Sequence, residues 1–251
     1  MLDCMHVSVR FSPELWIFLA PRNRRPEVLL PYDGTSSLGH VIESAGVPLT
    51  EIGEPAAGGR PVDPSYRPRP DEVVEVPAAR RPQAVPDCRF VLDVHLGTLA
   101  RRLRLVGLDT AYRNDMDDDA LIEQANAEDR VLLTQDRGIL RRRSLRRGAY
   151  VRGARPDDQF LDVLDRFRPP LSPWTRCTAC NGRLAPVGKA EVEESLEPGT
   201  RRSYEEFARC LSCGRIYWRG AHSGSLAAVV DRALHAVTPA RRGRAGRAGS
   251  G

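Results

Sequence analysis

The chain lacks any apolar run of membrane-spanning length; the best candidate, Leu15-Trp-Ile-Phe-Leu-Ala20, is only strand-sized. It also lacks a charged leader followed by an apolar stretch, since the first residues are Met1-Leu-Asp-Cys-Met-His6. No signal peptide and no membrane partner are therefore expected, and the expected location is cytoplasmic. No internal repeat is visible. Lysine is almost missing. Of 38 Lys and Arg residues only Lys189 is a lysine. A GC-rich genome accounts for that ratio, so the placement of the arginines says more than their number. Isolated cysteines are few: Cys4 and Cys88 stand alone and read as small buried hydrophobes.

What is present is 251 residues with 41% hydrophobic and 28% charged content. That is an ordinary globular composition, with room for two small domains, or three if a metal holds one together. The other four cysteines form two pairs, Cys177-x-x-Cys180 and Cys210-x-x-Cys213. Each pair has the spacing that closes two thiolates on one tetrahedral ion. In a reducing compartment metal ligation explains four such thiols better than disulfides do. The reading is a structural Zn2+ ribbon over residues 174–222 with no open coordination position. The loop from Cys180 to Cys210 exceeds the usual ribbon spacing, and Glu191–Glu197 with Pro198-Gly199 suggests a β-hairpin insertion. Tyr217, Trp218 and His222 trail the second pair. The aromatics either stack on exposed bases or form the ribbon's small core, and scarcity of other core material favours the core.

Residues 1–80 read as a β-rich unit. Cys4–Phe11 alternates as a strand, Trp16–Leu19 is a second strand or a strand end, and Val28–Leu30 resumes the pattern. A short helix is expected over Ser37–Ala45, capped by Ser36 or Ser37, and Asp71–Val76 closes the unit. This succession resembles a β-grasp, ubiquitin-like fold. Sulfur carriers of that fold end in a free Gly-Gly, whereas Gly58-Gly59 is internal and reads as a loop. Residues 77–87 form a proline-rich linker.

From residue 88 to 168 strands and helices alternate. Strands are expected at Arg89–Asp93, Thr110–Tyr112, Arg130–Thr134 and Ala149–Val151. Leu96, Leu99, Ala100, Leu103 and Val106 share one helix face, with Gly107 as the stop; Leu121, Ile122 and Ala125 share another, capped by Asp117 or Asp118. A third helix, Asp157–Phe167, should turn Phe160, Leu161, Leu164 and Phe167 inward. The alternation predicts an α/β domain with a parallel, doubly wound sheet. A helix is expected over 223–238 and a disordered tail over 239–251.

Sites in open parallel sheets form beyond the carboxyl ends of the strands. Asp93 and Asp136 stand at or just past such ends, and Asp118 begins the helix before the third strand. Clustered carboxylates repel unless a cation sits between them, and hard oxygen ligands suit Mg2+ or Mn2+. Each acid also has a plain reading, Asp118 as a helix cap and Asp136 as a turn residue. Arg101, Arg102 and Arg104 follow Asp93 closely. Arg137, Arg141, Arg142, Arg143, Arg146 and Arg147 follow Asp136. Arginines beside such a site suit a phosphodiester substrate, and a solvated helix face is the other reading.

Asp93-Val-His-Leu-Gly-Thr-Leu-Ala-Arg-Arg-Leu-Arg-Leu-Val-Gly-Leu-Asp109 resembles the opening signature of the mut-seven C-terminal RNase family, a branch of the PIN-like nucleases. Leu132-Leu-Thr-Gln-Asp-Arg137 is similar to its second signature, Leu-Thr-Arg-Asp, with Gln135 replacing the arginine. Arg176–Asn181 and Cys210–His222 resemble its zinc ribbon, and a preceding ubiquitin-like domain also occurs in bacterial members. The resemblance implies a metal-dependent ribonuclease. Asp93, Asp118 and Asp136 match the PIN-type acids, with Asp157 or Asp158 as candidates for a fourth. It further implies structural Zn2+ on Cys177, Cys180, Cys210 and Cys213, catalytic Mg2+ or Mn2+, and RNA as the partner.

The expectation is a β-grasp domain at 1–80, a PIN-like domain at 88–168 and a ribbon at 174–222. Arg101, Arg104 and Arg137 are expected to hold the RNA backbone. The alternative is a non-catalytic protein that binds RNA or a ribonucleoprotein through the basic patch and ribbon. A third reading is an adaptor that recruits a protein partner through the N-terminal domain.

Overall fold

The computed structural model describes residues 5–69, 72–218 and 223–238. The expectations for Cys4, Asp71, His222 and the tail lie outside the described residues. Among the described residues the chain forms three sheets.

The first sheet follows from alternation. β1 (Met5–Phe11) buries Val7, Val9 and Phe11, and β2 (Val28–Tyr32) buries every second residue. They pair antiparallel. α1 (Leu38–Ser44) adds Leu38, Val41 and Ile42 to the same core, and Ser37 caps it by accepting from the His40 amide. β3 (Ala56–Ala57) and β4 (Arg60–Pro61) flank the two-residue turn Gly58-Gly59. β5 (Val73–Val76) returns parallel to β1, giving the order β2-β1-β5-β3-β4 of a β-grasp. Trp16–Leu19 is not a strand. A 3-10 helix, Pro13–Leu15, leads into a turn that buries Leu15, Phe18 and Leu19. Proline at the first helical position and apolar residues three and four apart favour a helical turn over an extended chain.

The second sheet runs β6 (Phe90–Leu92), α2 (Gly97–Leu105), β7 (Thr110–Tyr112), α3 (Asp118–Ala127), β8 (Val131–Thr134), α4 (Arg137–Leu140), β9 (Gly148–Tyr150) and α5 (Pro156–Phe167). Its strands are parallel in the order β7-β6-β8-β9. Both faces are covered, so the central strands are continuous apolar runs. Phe90, Leu92 and Leu133 pack with α2 and α5, while Val91 and Leu132 pack with α3 and Ile139 of α4. Each fully buried side chain of this size contributes about 1.5–3 kcal/mol. On α5 the inward set is Phe160, Val163, Leu164 and Phe167. Leu161 is exposed, because the helical stripe passes through position 163 instead.

The third sheet is the ribbon: β10 (Leu184–Val187), β11 (Phe207–Cys210) and β12 (Ile216–Trp218), all antiparallel. The expected hairpin insertion is helical instead. α6 (Lys189–Val192), a 3-10 turn at Glu193–Ser195 and α7 (Pro198–Ser203) fill it. Val192 and Leu196 join Phe207 in one small buried cluster, and a spacing of four fits a helical turn and an alternating strand alike, so the pattern does not separate the two. α8 (Ser223–Val237) returns to the second sheet's core through Val230 and Ala233. Among the described residues no helix is long and apolar enough to cross a membrane.

The N-terminal sheet is bonded to the parallel one by a buried ion pair. Arg166 Nη1 donates to Glu51 Oε1 and Oε2 at 2.9 and 2.8 Å, and the two side chains are 3% and 2% exposed. Glu51 Oε1 also accepts the Tyr150 amide at 2.8 Å, and Arg166 Nη2 donates to the Thr50 carbonyl at 3.1 Å. These extra bonds offset the cost of taking both charges out of water. The linker is pinned as well. The Gln83 amide donates to the Arg166 carbonyl, and Arg81 pairs with Asp162 and Asp165.

Candidate functional site

The three sequence-predicted aspartates follow the carboxyl ends of three neighbouring parallel strands. Asp93 comes directly after β6, Asp136 two residues after Thr134 at the end of β8, and Asp118 opens the helix after β7. Asp93 is buried, with its Oδ2 accepting the Thr134 hydroxyl at 2.6 Å. Thr134 Oγ1 in turn accepts the Asp136 amide at 2.8 Å. One buried hydroxyl thus ties the two acids together. Thr134 was missed as a site residue, although its place in Leu-Thr-Gln-Asp signalled it. Asp136 is the N-cap of α4, with Oδ1 accepting from Gly138 and Ile139. Asp117, not Asp118, caps α3, accepting from the Ala120 amide at 2.8 Å. That leaves the Asp118 carboxylate exposed rather than consumed by its helix.

Asp118 feels the charge of the other two acids. Although exposed, it loses some water at the rim, and its pKa is raised first by that partial desolvation and then by the negative charges of Asp136 and Asp93, with Arg142 opposing. The three carboxylates therefore share one field. A divalent cation would relieve that repulsion, and carboxylate oxygens are the donors a hard ion takes, although as placed the three acids stand too far apart to share one. The thiols are closer together: among the described residues Cys177, Cys180, Cys210 and Cys213 are the one group of three or more metal-capable side chains close enough to hold an ion.

The surrounding arginines divide by task. Arg101 is exposed on α2. Arg104, expected at the RNA backbone, is 3% exposed and spends its guanidinium on carbonyls of the protein. Its Nε donates to the Thr110 carbonyl at 2.9 Å, and its Nη1 donates to Thr178 and Ala179 at 3.2 and 2.7 Å. It bolts the first cysteine turn to the parallel sheet. Arg137 reaches the N-terminal domain, donating to the Ile17 and Phe18 carbonyls at 2.7 and 3.3 Å. Arg142 pairs with Asp119. Asp157 pairs with Arg102 and Arg232, and Asp158 with Arg155, so arginines hold both candidates for a fourth acid. Gln135 donates to the Val151 and Gly153 carbonyls and fastens the loop after β9.

Two glycines of the opening signature are set by close approach. A Cβ on Gly97 would lie 2.6 Å from the Tyr112 hydroxyl, which donates to the Val94 carbonyl beside Asp93. Gly107 ends α2 at φ +88°, and a Cβ there would lie 2.0 Å from the Ser172 carbonyl. The last residue of that signature, Asp109, accepts from Arg130, Arg176 and Asn181. Burial would raise its pKa, but the bonds from Arg130 and Asn181 and the charges of Arg130 and Arg176 outweigh it and hold the carboxyl low.

The cysteine turns are prepared for a metal. The amides of Cys180 and Cys213 donate to Cys177 Sγ and Cys210 Sγ at 3.4 and 3.5 Å, and the Tyr217 hydroxyl sits 3.0 Å from Cys177 Sγ. Burial opposes ionisation of Cys177, but the Tyr217 hydroxyl and the Cys180 and Ala179 amides lower its pKa, whereas burial and the neighbouring thiols push Cys180 up to about 12. All four thiols are free of disulfides, and the set could hold a metal such as zinc. A groove of about 700 Å³, lined by Trp174, Phe207, Tyr217 and Trp218, runs beside the ribbon sheet; none of the three aspartates lines it.

A family model described as the Mut7-C RNAse domain matches residues 88–230, and one described as Mut7-C ubiquitin matches residues 4–84. No curated protein and no solved structure matches the chain. With the first match spanning more than half of its length, the protein belongs to the Mut7-C RNAse domain family and carries a Mut7-C ubiquitin domain ahead of that region.

Proposed function

We propose that the protein is a PIN-like, metal-dependent ribonuclease that hydrolyses RNA phosphodiester bonds at Asp93, Asp118 and Asp136. The carrying observation is the placing of Asp93, Asp118 and Asp136 after the carboxyl ends of three neighbouring parallel strands, with Thr134 bonded both to Asp93 and to the Asp136 amide. Asp93 Oδ1, Asp136 Oδ2 and the Asp118 carboxylate are the oxygens offered to Mg2+ or Mn2+. Such an ion supplies an activated water and neutralises charge developing on the phosphate. The chain's own groups do the rest. Thr134 fixes the Asp93 carboxylate and the backbone before Asp136. Arg101, with Arg141 and Arg143 after α4, offers exposed guanidinium groups to a phosphate backbone. An open rim rather than a closed pocket suits a polymeric substrate. The ribbon carries structural Zn2+ and no chemistry, and a reducing, cytoplasmic setting keeps its thiols available.

Labelled single-stranded RNA incubated with the pure protein and Mn2+ tests the reading. Cleavage should require the metal and fall at least a hundredfold in Asp93→Asn. Equal cleavage by both proteins would refute the assignment. RNA binding indifferent to chelator, without turnover under any divalent metal, would favour the binding-only alternative.

A further inference from the structure

Asp136 caps a helix of only four residues, Arg137–Leu140. A single turn has little stability of its own and takes its position from what it packs against. Part of its support comes from the N-terminal domain. Arg137, the first residue of that turn, reaches the Ile17 carbonyl at 2.7 Å and the Phe18 carbonyl at 3.3 Å. Its guanidinium lies 5.3 Å from the centre of the Phe18 ring and 6.0 Å from that of Tyr150. Those two rings meet edge to face at 5.0 Å. Tyr150 closes β9, and its amide is held by Glu51 of the same N-terminal domain. Arg152, just past β9, donates to the Glu14 carbonyl at 3.2 Å. The turn around residues 14–18 therefore lies against the β8–β9 side of the rim that carries the acids.

We infer that Arg137 is a positioning residue, through which the ubiquitin-like domain fixes the Asp136 carboxylate for the divalent cation. The inference rests on the ribonuclease reading and extends it. The N-terminal domain then completes the metal site rather than serving only as a recruiting arm, and Arg137 acts through Asp136 rather than on RNA. A planar guanidinium satisfies two adjacent carbonyls in its plane while laying its face on a ring; an ammonium keeps the charge but has neither the fork nor the flat face.

The test uses the full-length, zinc-loaded chain. Mn2+ binding is followed by the EPR signal of the free ion in wild type, Asp93→Asn, Arg137→Ala, Arg137→Lys and Phe18→Leu. RNA cleavage is measured across the same Mn2+ range, with a thermal melt as the check on folding. Arg137→Ala should raise the Mn2+ half-saturation about tenfold, as expected for loss of a group that orients a metal ligand, and cleavage should recover at saturating Mn2+. Arg137→Lys should fall between Arg137→Ala and wild type. Should Arg137→Ala fail to fold, Arg137→Lys and Phe18→Leu carry the comparison, each with a half-saturation raised several-fold. Folded variants that bind Mn2+ as wild type does overturn the inference and leave the ribonuclease reading standing. Mn2+ binding unaffected by Asp93→Asn defeats the ribonuclease reading itself, and this inference with it.

Discussion

The Thr134 hydroxyl donates to Asp93 Oδ2 at 2.6 Å while accepting the Asp136 amide at 2.8 Å, so one buried oxygen sets the spacing of two acids on neighbouring strands. Thr134→Val keeps the shape and removes that oxygen. It should lower metal affinity about 10–100-fold, the usual cost of losing a group that orients a ligand. Mn2+ titrations of cleavage and of binding check this, and a metal dependence equal to wild type would remove Thr134 from the site.

Arg104 should behave as a structural bolt. Arg104→Ala leaves the Thr110, Thr178 and Ala179 carbonyls without their shared donor and should cost about 2–4 kcal/mol. Denaturant unfolding measures the loss. RNA affinity of the remaining folded protein should not change; a loss of affinity at unchanged stability would restore Arg104 to the substrate surface.

Asp109 predicts an acid-sensitive attachment of the ribbon. Its carboxyl titrates below the ordinary range in the folded chain, so the unfolded chain binds the proton more readily. The stabilisation is complete above the unfolded pKa near 3.9 and is lost as pH falls through the lower folded value. Asp109→Asn should cost about 2–4 kcal/mol at neutral pH. The gap to wild type should shrink below about pH 4. Urea unfolding of both proteins at several pH values decides it, and a gap independent of pH would contradict the assignment.

The cysteine quartet should bind one zinc per chain and lose it only to strong chelators. Metal removal should open residues 177–218 to proteolysis while leaving the parallel sheet protected, because the ribbon has only a small core of Val192, Leu196 and Phe207. Mass spectrometry of the fragments reads this directly. Equal protection with and without metal would mean that the thiols are not the ribbon's support.

Local patterns made much of this architecture legible. The runs around Phe90–Leu92 and Val131–Thr134 announced buried parallel strands, and Leu99, Leu103 and Leu121 marked helix faces. Distances between elements were not legible. Arg104 and Arg137 looked like substrate contacts because sequence places them near acids; the fold directs both to backbone carbonyls, most of them far away in the chain. Helical insertion after β10 was hidden by Pro198-Gly199, which reads equally as a hairpin turn or a helix start. Glu51 and Arg166 carried no signal at all, since a buried charge pair looks like two surface residues until both partners are placed.

That ionic contact limits how the chain can be cut. A fragment ending near residue 84 would carry the Glu51 carboxylate on a bare, water-exposed face, and the complementary fragment would carry an orphaned guanidinium. Water can solvate both charges once they are parted, but the same cut bares the apolar contact of Phe18 with Tyr150 that surrounds this seam, so truncations between the two family matches should be less stable than the intact chain.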